Sequence, residues 1–192
     1  MVRAALPAVL AAALLIGLTR PAGATDPHLR RALGTALDRP PPAADRFGRQ
    51  VWLRDYSRRL ARFVEQREKR RKLAGMILAE ARRAGVPPGL VFAVIEVESG
   101  FDRFALSPAG ARGLMQVMPF WRERIGRPGD NLFRAGTNLR YGCTILSHYL
   151  ERENGDILDA LAAYHGSVGR TVYPRRIYRA YRRHWAEPGG AR

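Results

Sequence analysis

Two acidic side chains that could do acid–base chemistry, Glu96 and Glu98, stand at the end of an apolar run that begins at Leu90. If this run is an α-helix, each residue turns by about 100°, so side chains two positions apart point about 200° away from each other. The two carboxylates therefore cannot serve one site. Glu98 shares its face of the helix with three apolar residues, Val91, Val94 and Ile95.

The position predicted for Glu98 suits a proton donor. A carboxyl group beside apolar side chains has a raised pKa, because desolvation disfavours its charged form. It is then protonated near neutral pH and can supply the proton that the leaving oxygen of a glycosidic bond requires. If the helix stood alone, a structural glutamate paired with an arginine would be the better interpretation. The neighbouring segments therefore decide between a catalytic and a structural role for Glu98.

The helix that carries Glu98 has clear ends in the sequence. Pro88 fits its first turn, where a missing N–H group costs nothing, and Ser99-Gly100 ends it. The helix is apolar around most of its circumference, which predicts a place in the middle of the domain. Residues 107–113 contain a proline and two glycines and predict a turn-rich loop or a short hairpin.

Helical periodicity also occurs on both sides of this segment. An apolar stripe and its continuation up to Gly85 predict helices before it, and four patterns follow it, the third capped by Asp156. The fold class is therefore mainly α, a single domain with at most a small β element within residues 104–117. The stripe consists of Trp52, Tyr56, Leu60 and Phe63, its continuation of Leu73, Ile77, Ala81 and Ala84, and the later patterns of residues 119–125, 136–152, 157–164 and 175–185.

The N-terminus has the features of a secretory signal. Arg3 provides a basic start, the apolar run at residues 4–18 is shorter than the roughly 20 residues of a membrane span, and Ala22-Gly23-Ala24 offers the small residues that a signal peptidase requires. We expect export with cleavage before Thr25; an uncleaved anchor is the alternative. The predicted organisation is a signal peptide at residues 1–24, a proline-containing linker at 25–45, a helical extension at 46–83 and the catalytic domain at 84–186.

The chain has few metal-ligating residues near one another. Cys143 is the sole cysteine, so no intramolecular disulfide can form. Cys143 and His148 are too few for a zinc site, which takes three or four protein ligands. We therefore expect no metal ion, and the sequence implies no cofactor.

The chain is strongly basic. Its formal net charge is +16, and loss of residues 1–24, which contain Arg3 and Arg20 and no acid, would leave +14. The positive electrostatic field of such a surface attracts polyanions. For an exported protein these are an anionic wall or membrane surface more than nucleic acid. Lys69 and Lys72 are the only lysines among 33 basic residues. Genome composition alone can produce this bias, so a solvated surface without a partner is the other interpretation.

Two motifs that begin at Glu98 carry a resemblance to a known family. They are Glu-Ser-Gly-Phe-Asp at residues 98–102 and Ser-Pro-Ala-Gly-Ala-Arg-Gly-Leu-Met-Gln-Val-Met-Pro at residues 107–119. Their order and spacing closely resemble the catalytic domain of the soluble lytic transglycosylases, which has a lysozyme-like fold. The resemblance covers residues 84–178 and includes Asn138-Leu139, Gly142, Leu146 and the segment Ala162-Ala163-Tyr164-His165-Gly166, which is similar to the family's Ala-Tyr-Asn-x-Gly motif.

The resemblance implies a periplasmic enzyme that acts on peptidoglycan glycan strands, with Glu98 as its single catalytic acid and base. It implies that Ser99 helps to position the sugar or the carboxylate, although Ser99 alone fits a helix-ending residue equally. Tyr173 matches a family tyrosine whose hydroxyl contacts the catalytic glutamate. The saccharide cleft would be lined by Met115, Gln116, Met118, Tyr164 and His165. Core packing remains the alternative for Met115, Gln116 and Met118, and a structural role remains the alternative for both tyrosines.

The family's reaction is non-hydrolytic and leaves 1,6-anhydromuramyl ends, which fits a chain with one well-placed carboxylate, since hydrolysing glycosidases normally use two. A lysozyme-like muramidase and a wall-binding protein without catalysis are the other two hypotheses. The sequence departs from the family at His165, which replaces an asparagine, and at Ile145, where a tyrosine is common. Residues 170–173 also form a shorter approach to the family tyrosine. These departures put the substrate preference in doubt and leave Glu98 unaffected.

Overall fold

The computed structural model describes residues 27–28 and 46–186. The predicted signal peptide and nearly all of the predicted linker lie outside the described residues. The helices are α1 (Arg46–Arg59), a 3-10 turn (Leu60–Arg62), α2 (Arg67–Arg83), α3 (Pro88–Ser99), α4 (Trp121–Ile125), α5 (Ala135–Arg152), α6 (Ile157–Tyr164), α7 (Val172–Ala180) and a π-helical turn (Tyr181–Trp185). None of the described helices is long and apolar enough to cross a membrane.

Helix α3 lies at the centre of the molecule, where α2, α7 and the π-helical turn pack around it. Its first eight residues are buried, as the apolar circumference of the helix predicts. Pro88 occupies the first turn, and the helix ends at Gly100, which has the left-handed conformation with φ +58°. The predicted ends of the helix are therefore confirmed, and Glu98 stands in its last turn.

An aromatic cluster joins the N-terminal helices to α3. Tyr56 of α1 stacks on Phe92 with ring centroids 4.3 Å apart, and Phe92 stacks on Trp185 at 4.9 Å. Phe63 continues the cluster to Phe101, just beyond the end of α3. Because these rings belong to the one core of the described residues, residues 46–83 pack as part of the same globular unit as α3.

The segment between α3 and α4 contains no strand among the described residues. It has two isolated antiparallel bridges, Leu106 with Arg112 and Arg112 with Val117. The expected small β element is thus reduced to single bridges at the predicted place. The mainly α fold class is confirmed for the described part of the chain.

Two helical regions differ most from the sequence pattern. The N-terminal stripe does not run on without interruption, because the chain turns at Phe63 and α2 begins only at Arg67. The predicted last helix starts three residues earlier, at Val172, and its end is π-helical rather than α-helical. In that turn the indole Nε1 of Trp185 donates a hydrogen bond to Glu96, a contact that local periodicity cannot show.

Candidate active site

Glu98 is a half-buried carboxyl group at the end of α3. The hydroxyl of Tyr173 donates a hydrogen bond of 2.6 Å to its Oε1. Burial raises the pKa of Glu98 to about 7, and the Tyr173 hydrogen bond and the positive charge of Arg176 oppose this rise less strongly. Glu98 forms no salt bridge within the described part of the chain. A substantial fraction of the carboxyl group is therefore protonated at neutral pH.

Glu96 points to the opposite side of α3, as the helical spacing predicts. Its Oε2 accepts hydrogen bonds from Trp185 Nε1 at 2.7 Å and contacts His184 Nδ1 at 2.9 Å. These contacts fasten the π-helical turn to the central helix. The two carboxylates therefore have different surroundings, and only Glu98 faces Tyr173.

Ser99 connects the end of α3 to the loop that follows. Its hydroxyl lies 2.7 Å from the carbonyl oxygen of Leu114 and 3.1 Å from that of Ile95, and it donates its single hydrogen between these two acceptors. Ser99 thus fixes the loop beside Glu98.

The side chain of Asn138 in α5 holds the loop in place, a role that its local sequence does not indicate. The side chain is only 1% exposed. Its Oδ1 accepts from the backbone N–H of Met115 at 2.8 Å, and its Nδ2 donates to the carbonyl oxygens of Arg112 at 2.7 Å and Leu132 at 2.9 Å. The only local signal was an amide residue next to Leu139, on a helix face that is otherwise apolar.

Gly113 and Gln116 shape the tip of the same loop. Gly113 has φ +72°, and a Cβ atom there would lie 2.6 Å from Asn138 Nδ2 and 2.7 Å from the carbonyl oxygen of Leu132. Glycine adopts such a positive φ readily, because it has no Cβ atom. Gln116 uses both amide hydrogens within the loop, donating to the carbonyl oxygens of Gly113 at 2.9 Å and Ala105 at 3.2 Å. Its side-chain oxygen is the group left for a ligand.

The two methionines of the predicted cleft differ in burial. Met115 is fully buried, and its sulfur lies 3.9 Å from Cys143 Sγ. Gly142 makes room for it, because a Cβ atom at that position would collide with the Met115 side chain. Met115 therefore packs in the core, the alternative that the sequence left open. Met118 is half-buried and reaches the surface.

Tyr164 and Tyr173 hold different parts of the site. The Tyr164 hydroxyl donates a hydrogen bond of 2.8 Å to the backbone oxygen of Met115, so it joins α6 to the loop. Tyr173 is 3% exposed and comes from the first turn of α7. Burial, followed by the charge of Glu98, raises the pKa of both hydroxyls well above the usual value for tyrosine. Both therefore remain protonated hydrogen-bond donors at neutral pH.

His165 lies directly against Tyr173. The two rings stack with their centroids 4.2 Å apart and an interplanar angle of 19°. The Nδ1 atom of His165 is buried and has no hydrogen-bond partner within the described residues. Burial, followed by the charge of Arg176, lowers the pKa of His165 below its usual value of 6.5. The imidazole is therefore predominantly neutral at pH 7.

The structure thus brings together residues that are far apart in sequence. Glu98, Tyr173 and His165 form a contiguous cluster, and Ser99, Tyr164 and the backbone of Met115 hold the adjoining loop. No group of three or more histidine, cysteine, aspartate or glutamate side chains within the described part of the chain could hold a metal ion.

Comparison with known proteins identifies the family. The Transglycosylase SLT domain matches residues 75–182, more than half of the chain. The chain belongs to this family, and the resemblance at residues 84–178 is confirmed. The match begins nine residues before the predicted start of the catalytic domain, within α2.

Several individual proteins are similar to the chain over part of its length. The transglycosylase of Enterobacteria phage PRD1 is 34% identical over 92 residues, which is 48% of this chain and 34% of that protein. Membrane-bound lytic murein transglycosylase C of Mannheimia succiniciproducens is 32% identical over 85 residues, 40% of this chain and 24% of that protein. An inactive mutant of lytic transglycosylase Slt from Pseudomonas aeruginosa matches with a TM-score of 0.45 and 27% identity, over 56% of this chain and 20% of that one. The chain thus spans about a third or less of the length of these relatives.

Proposed function

We propose that the protein is an exported peptidoglycan lytic transglycosylase. It cleaves the β-1,4 bond between N-acetylmuramic acid and N-acetylglucosamine without water and leaves a 1,6-anhydromuramyl end. The observation that carries this proposal is Glu98, one carboxyl group with a pKa of about 7 that is held by the Tyr173 hydroxyl. Family membership and the names of the relatives support the reaction class. The relatives named membrane-bound murein transglycosylases support a periplasmic location.

In the proposed mechanism Glu98 acts twice. The protonated carboxyl group donates its proton to the bridging oxygen as the bond from that oxygen to C1 of the muramyl sugar breaks, and N-acetylglucosamine leaves as an alcohol. The C6 hydroxyl of the muramyl sugar then attacks C1 and returns a proton to the Glu98 carboxylate. The substrate's own N-acetyl oxygen stabilises the positive C1 between the two steps. A pKa near 7 suits a group that must both give and take a proton.

The neighbouring residues have supporting roles in this proposal. Tyr173 orients the carboxyl group, and Ser99 and Tyr164 fix the loop that forms one wall of the cleft. The side-chain oxygen of Gln116, the half-buried Met118 and the half-buried imidazole of His165 contact the sugar. Met115 contributes through its backbone oxygen, which receives the Tyr164 hydroxyl.

A single acidic group favours this route over hydrolysis. No other carboxylate is among the groups that shift the pKa of Glu98 within the described part of the chain. Asp102, the nearest acid beyond the helix, is exposed, and its Oδ1 accepts the backbone N–H of Phe104 in a local turn. Asp102 thus has a local structural role in this turn.

Digestion of purified sacculi tests the reaction class. The protein should release soluble muropeptides, and the turbidity of the suspension should fall with time. A wall-binding protein would instead sediment with sacculi whose turbidity and soluble fraction do not change. That second result would contradict the proposed function.

In the pH profile of kcat/KM, we expect Tyr173→Phe to move the alkaline limb to higher pH. The Tyr173 hydrogen bond lowers the pKa of Glu98, so its loss raises that pKa further above the usual range. The carboxyl group then keeps its proton to higher pH. The maximal rate should fall about tenfold to a hundredfold, because a hydrogen bond to a charged group is worth about 1.5–3 kcal/mol.

Tyr178→Phe is the matched control for this prediction, since it removes a hydroxyl from the same helix without touching Glu98. Initial rates of muropeptide release over a pH series measure both variants. An alkaline limb that stays in place or moves to lower pH in Tyr173→Phe would refute the role given to the hydroxyl.

We expect His165→Asn to reduce the fall of kcat/KM that wild-type protein shows at acidic pH. The pKa of His165 lies below 6.5, so the neutral imidazole accepts a hydrogen bond from substrate at pH 7 and loses this ability as protonation proceeds in more acidic solution. Asparagine has a permanent acceptor and does not titrate. His148→Asn, at an exposed position of α5, is the control. Identical acidic limbs in wild type and His165→Asn would rule out this contact.

A further inference from the structure

A groove between α1 and α2 is lined by five arginines and is separate from the Glu98 site. Arg54 and Arg58 come from α1, and Arg67, Arg70 and Arg71 come from α2. The groove has a volume of about 550 Å³, and none of its described lining residues is acidic. We call it the arginine groove.

Most of the charge in the arginine groove is not neutralised by the described residues. Arg54, Arg67 and Arg71 are exposed and form no salt bridge within the described part of the chain. Arg58 is 82% exposed and pairs with Asp55 at 3.0 Å, but Asp55 also pairs with Arg59 at 2.7 Å.

Arg70 is fixed by the backbone rather than by an acid. It donates to the carbonyl oxygen of Glu65 at 2.8 Å, while its Nε is buried without a partner among the described groups. The carboxylates of Glu65 and Glu68 are close in sequence but do not line the groove. Five positive charges therefore converge with at most one shared counter-charge among the described residues.

The chemistry of such a groove points to phosphate. Guanidinium groups bind phosphate oxygens through paired hydrogen bonds and are weakly hydrated, so several of them together favour a multiply anionic ligand. Water and salt weaken their mutual repulsion, and a bound anion reduces it further.

A second groove next to the first narrows the choice of ligand. It is mainly apolar and has a volume of about 400 Å³; its lining includes Trp52, Leu53, Leu78, Val86 and Pro87, together with Arg49 and Arg82. Leu53 lines both grooves. A phospholipid joins a phosphate to apolar chains, whereas a phosphate-bearing wall polymer offers nothing to an apolar groove.

We propose that the arginine groove docks the protein on a membrane surface by binding the headgroups of anionic phospholipids. The apolar groove includes Pro88, the first residue of α3, whereas Glu98 stands in the last turn of that helix. A rise of 1.5 Å per residue separates the two positions by about 15 Å. Docking at α1 and α2 therefore leaves the Glu98 site free for glycan strands.

Sedimentation with lipid vesicles tests this proposal. The protein purified after export is mixed with vesicles of phosphatidylcholine that contain phosphatidylglycerol, or with phosphatidylcholine alone. The groove variant carries Arg54→Gln, Arg67→Gln and Arg71→Gln. The control variant carries Arg134→Gln, Arg179→Gln and Arg183→Gln, exposed positions outside the groove, and has the same net charge and N-terminus.

We expect binding to phosphatidylglycerol vesicles to weaken about tenfold or more in the groove variant and to change little in the control. Phosphatidylcholine alone should bind neither protein appreciably. If vesicle binding weakened equally in both variants, the effect would come from net charge in general, and the proposal would be overturned. The proposal would also be overturned if the groove variant lost binding to sacculi but kept binding to phosphatidylglycerol vesicles. That result would assign the groove to the wall. The groove variant should digest sacculi at the wild-type rate, so this result is independent of the proposed reaction.

Discussion

Glu98→Gln is expected to lower the rate of muropeptide release from purified sacculi by about a thousandfold or more. Glutamine fills the same space and can still accept the Tyr173 hydrogen bond, but it cannot donate a proton to the bridging oxygen or take one from the C6 hydroxyl. General acid–base catalysis contributes about 10²–10⁴-fold, and here one group serves both steps. The variant should still sediment with sacculi, since the cleft keeps its shape.

Glu96→Gln is the matched control, because it makes the same chemical change two residues earlier on the same helix. It should keep most of the activity, since Glu96 contacts Trp185 and His184 rather than the cleft. Thermal unfolding at pH 8 checks the fold of the Glu98→Gln variant. The pKa of Glu98 is raised from its ordinary 4.5 to about 7, so its ionisation destabilises the folded protein as pH rises, and the neutral variant should be at least as stable. Substantial turnover by the folded Glu98→Gln variant would refute the assignment.

The second large effect is expected at Asn138, which touches no substrate in the proposed mechanism. Asn138→Ala leaves the Met115 N–H and the Leu132 carbonyl oxygen without their partner in a buried place, and it removes one of the two donors to the Arg112 carbonyl oxygen, which keeps the N–H of Val117. Unsatisfied buried groups cost about 1–3 kcal/mol each, so we expect a loss of about 3 kcal/mol or more in the free energy of unfolding. The melting temperature should fall by about 6 °C or more.

Activity should fall further than stability alone explains, because Asn138 holds the loop that faces Glu98. Rates of muropeptide release measured well below the melting temperature separate the two effects. Asn131→Ala is the control: it removes an exposed amide that, among the described residues, accepts only the N–H of Phe133, and it should cost about 1 kcal/mol or less. A folded Asn138→Ala variant with wild-type rates would contradict the positioning role.

The parts of the fold that depend on local chemistry were predictable from the sequence. Within a helix, Pro88 fits only the first turn, and Gly100 readily adopts the left-handed conformation that ends a helix. These two residues therefore predict that Glu98 stands in the last turn of α3. Asp156 caps α6 by accepting the N–H of Asp159, as its residue type predicts. Apolar periodicity placed α3 in the core.

Features that depend on distant contacts were not predictable from local pattern. The π-helical turn forms where Trp185 reaches Glu96, which is 89 residues earlier in the chain. Asn138 reaches the loop at Met115 across 23 residues, and no periodicity reveals that an amide will bind three backbone groups. The burial of Met115 depends on the missing side chain of Gly142. The contact of Tyr173 with Glu98 was expected only because of the family resemblance.

The mass of the products released from purified sacculi tests the proposed mechanism most directly. Intramolecular attack by the C6 hydroxyl leaves a 1,6-anhydromuramyl end, so each product should be lighter by one water than the corresponding hydrolysed muropeptide. Released muropeptides with reducing muramyl ends, made by wild-type protein and absent with Glu98→Gln, would show hydrolysis by a lysozyme-like route and would contradict it.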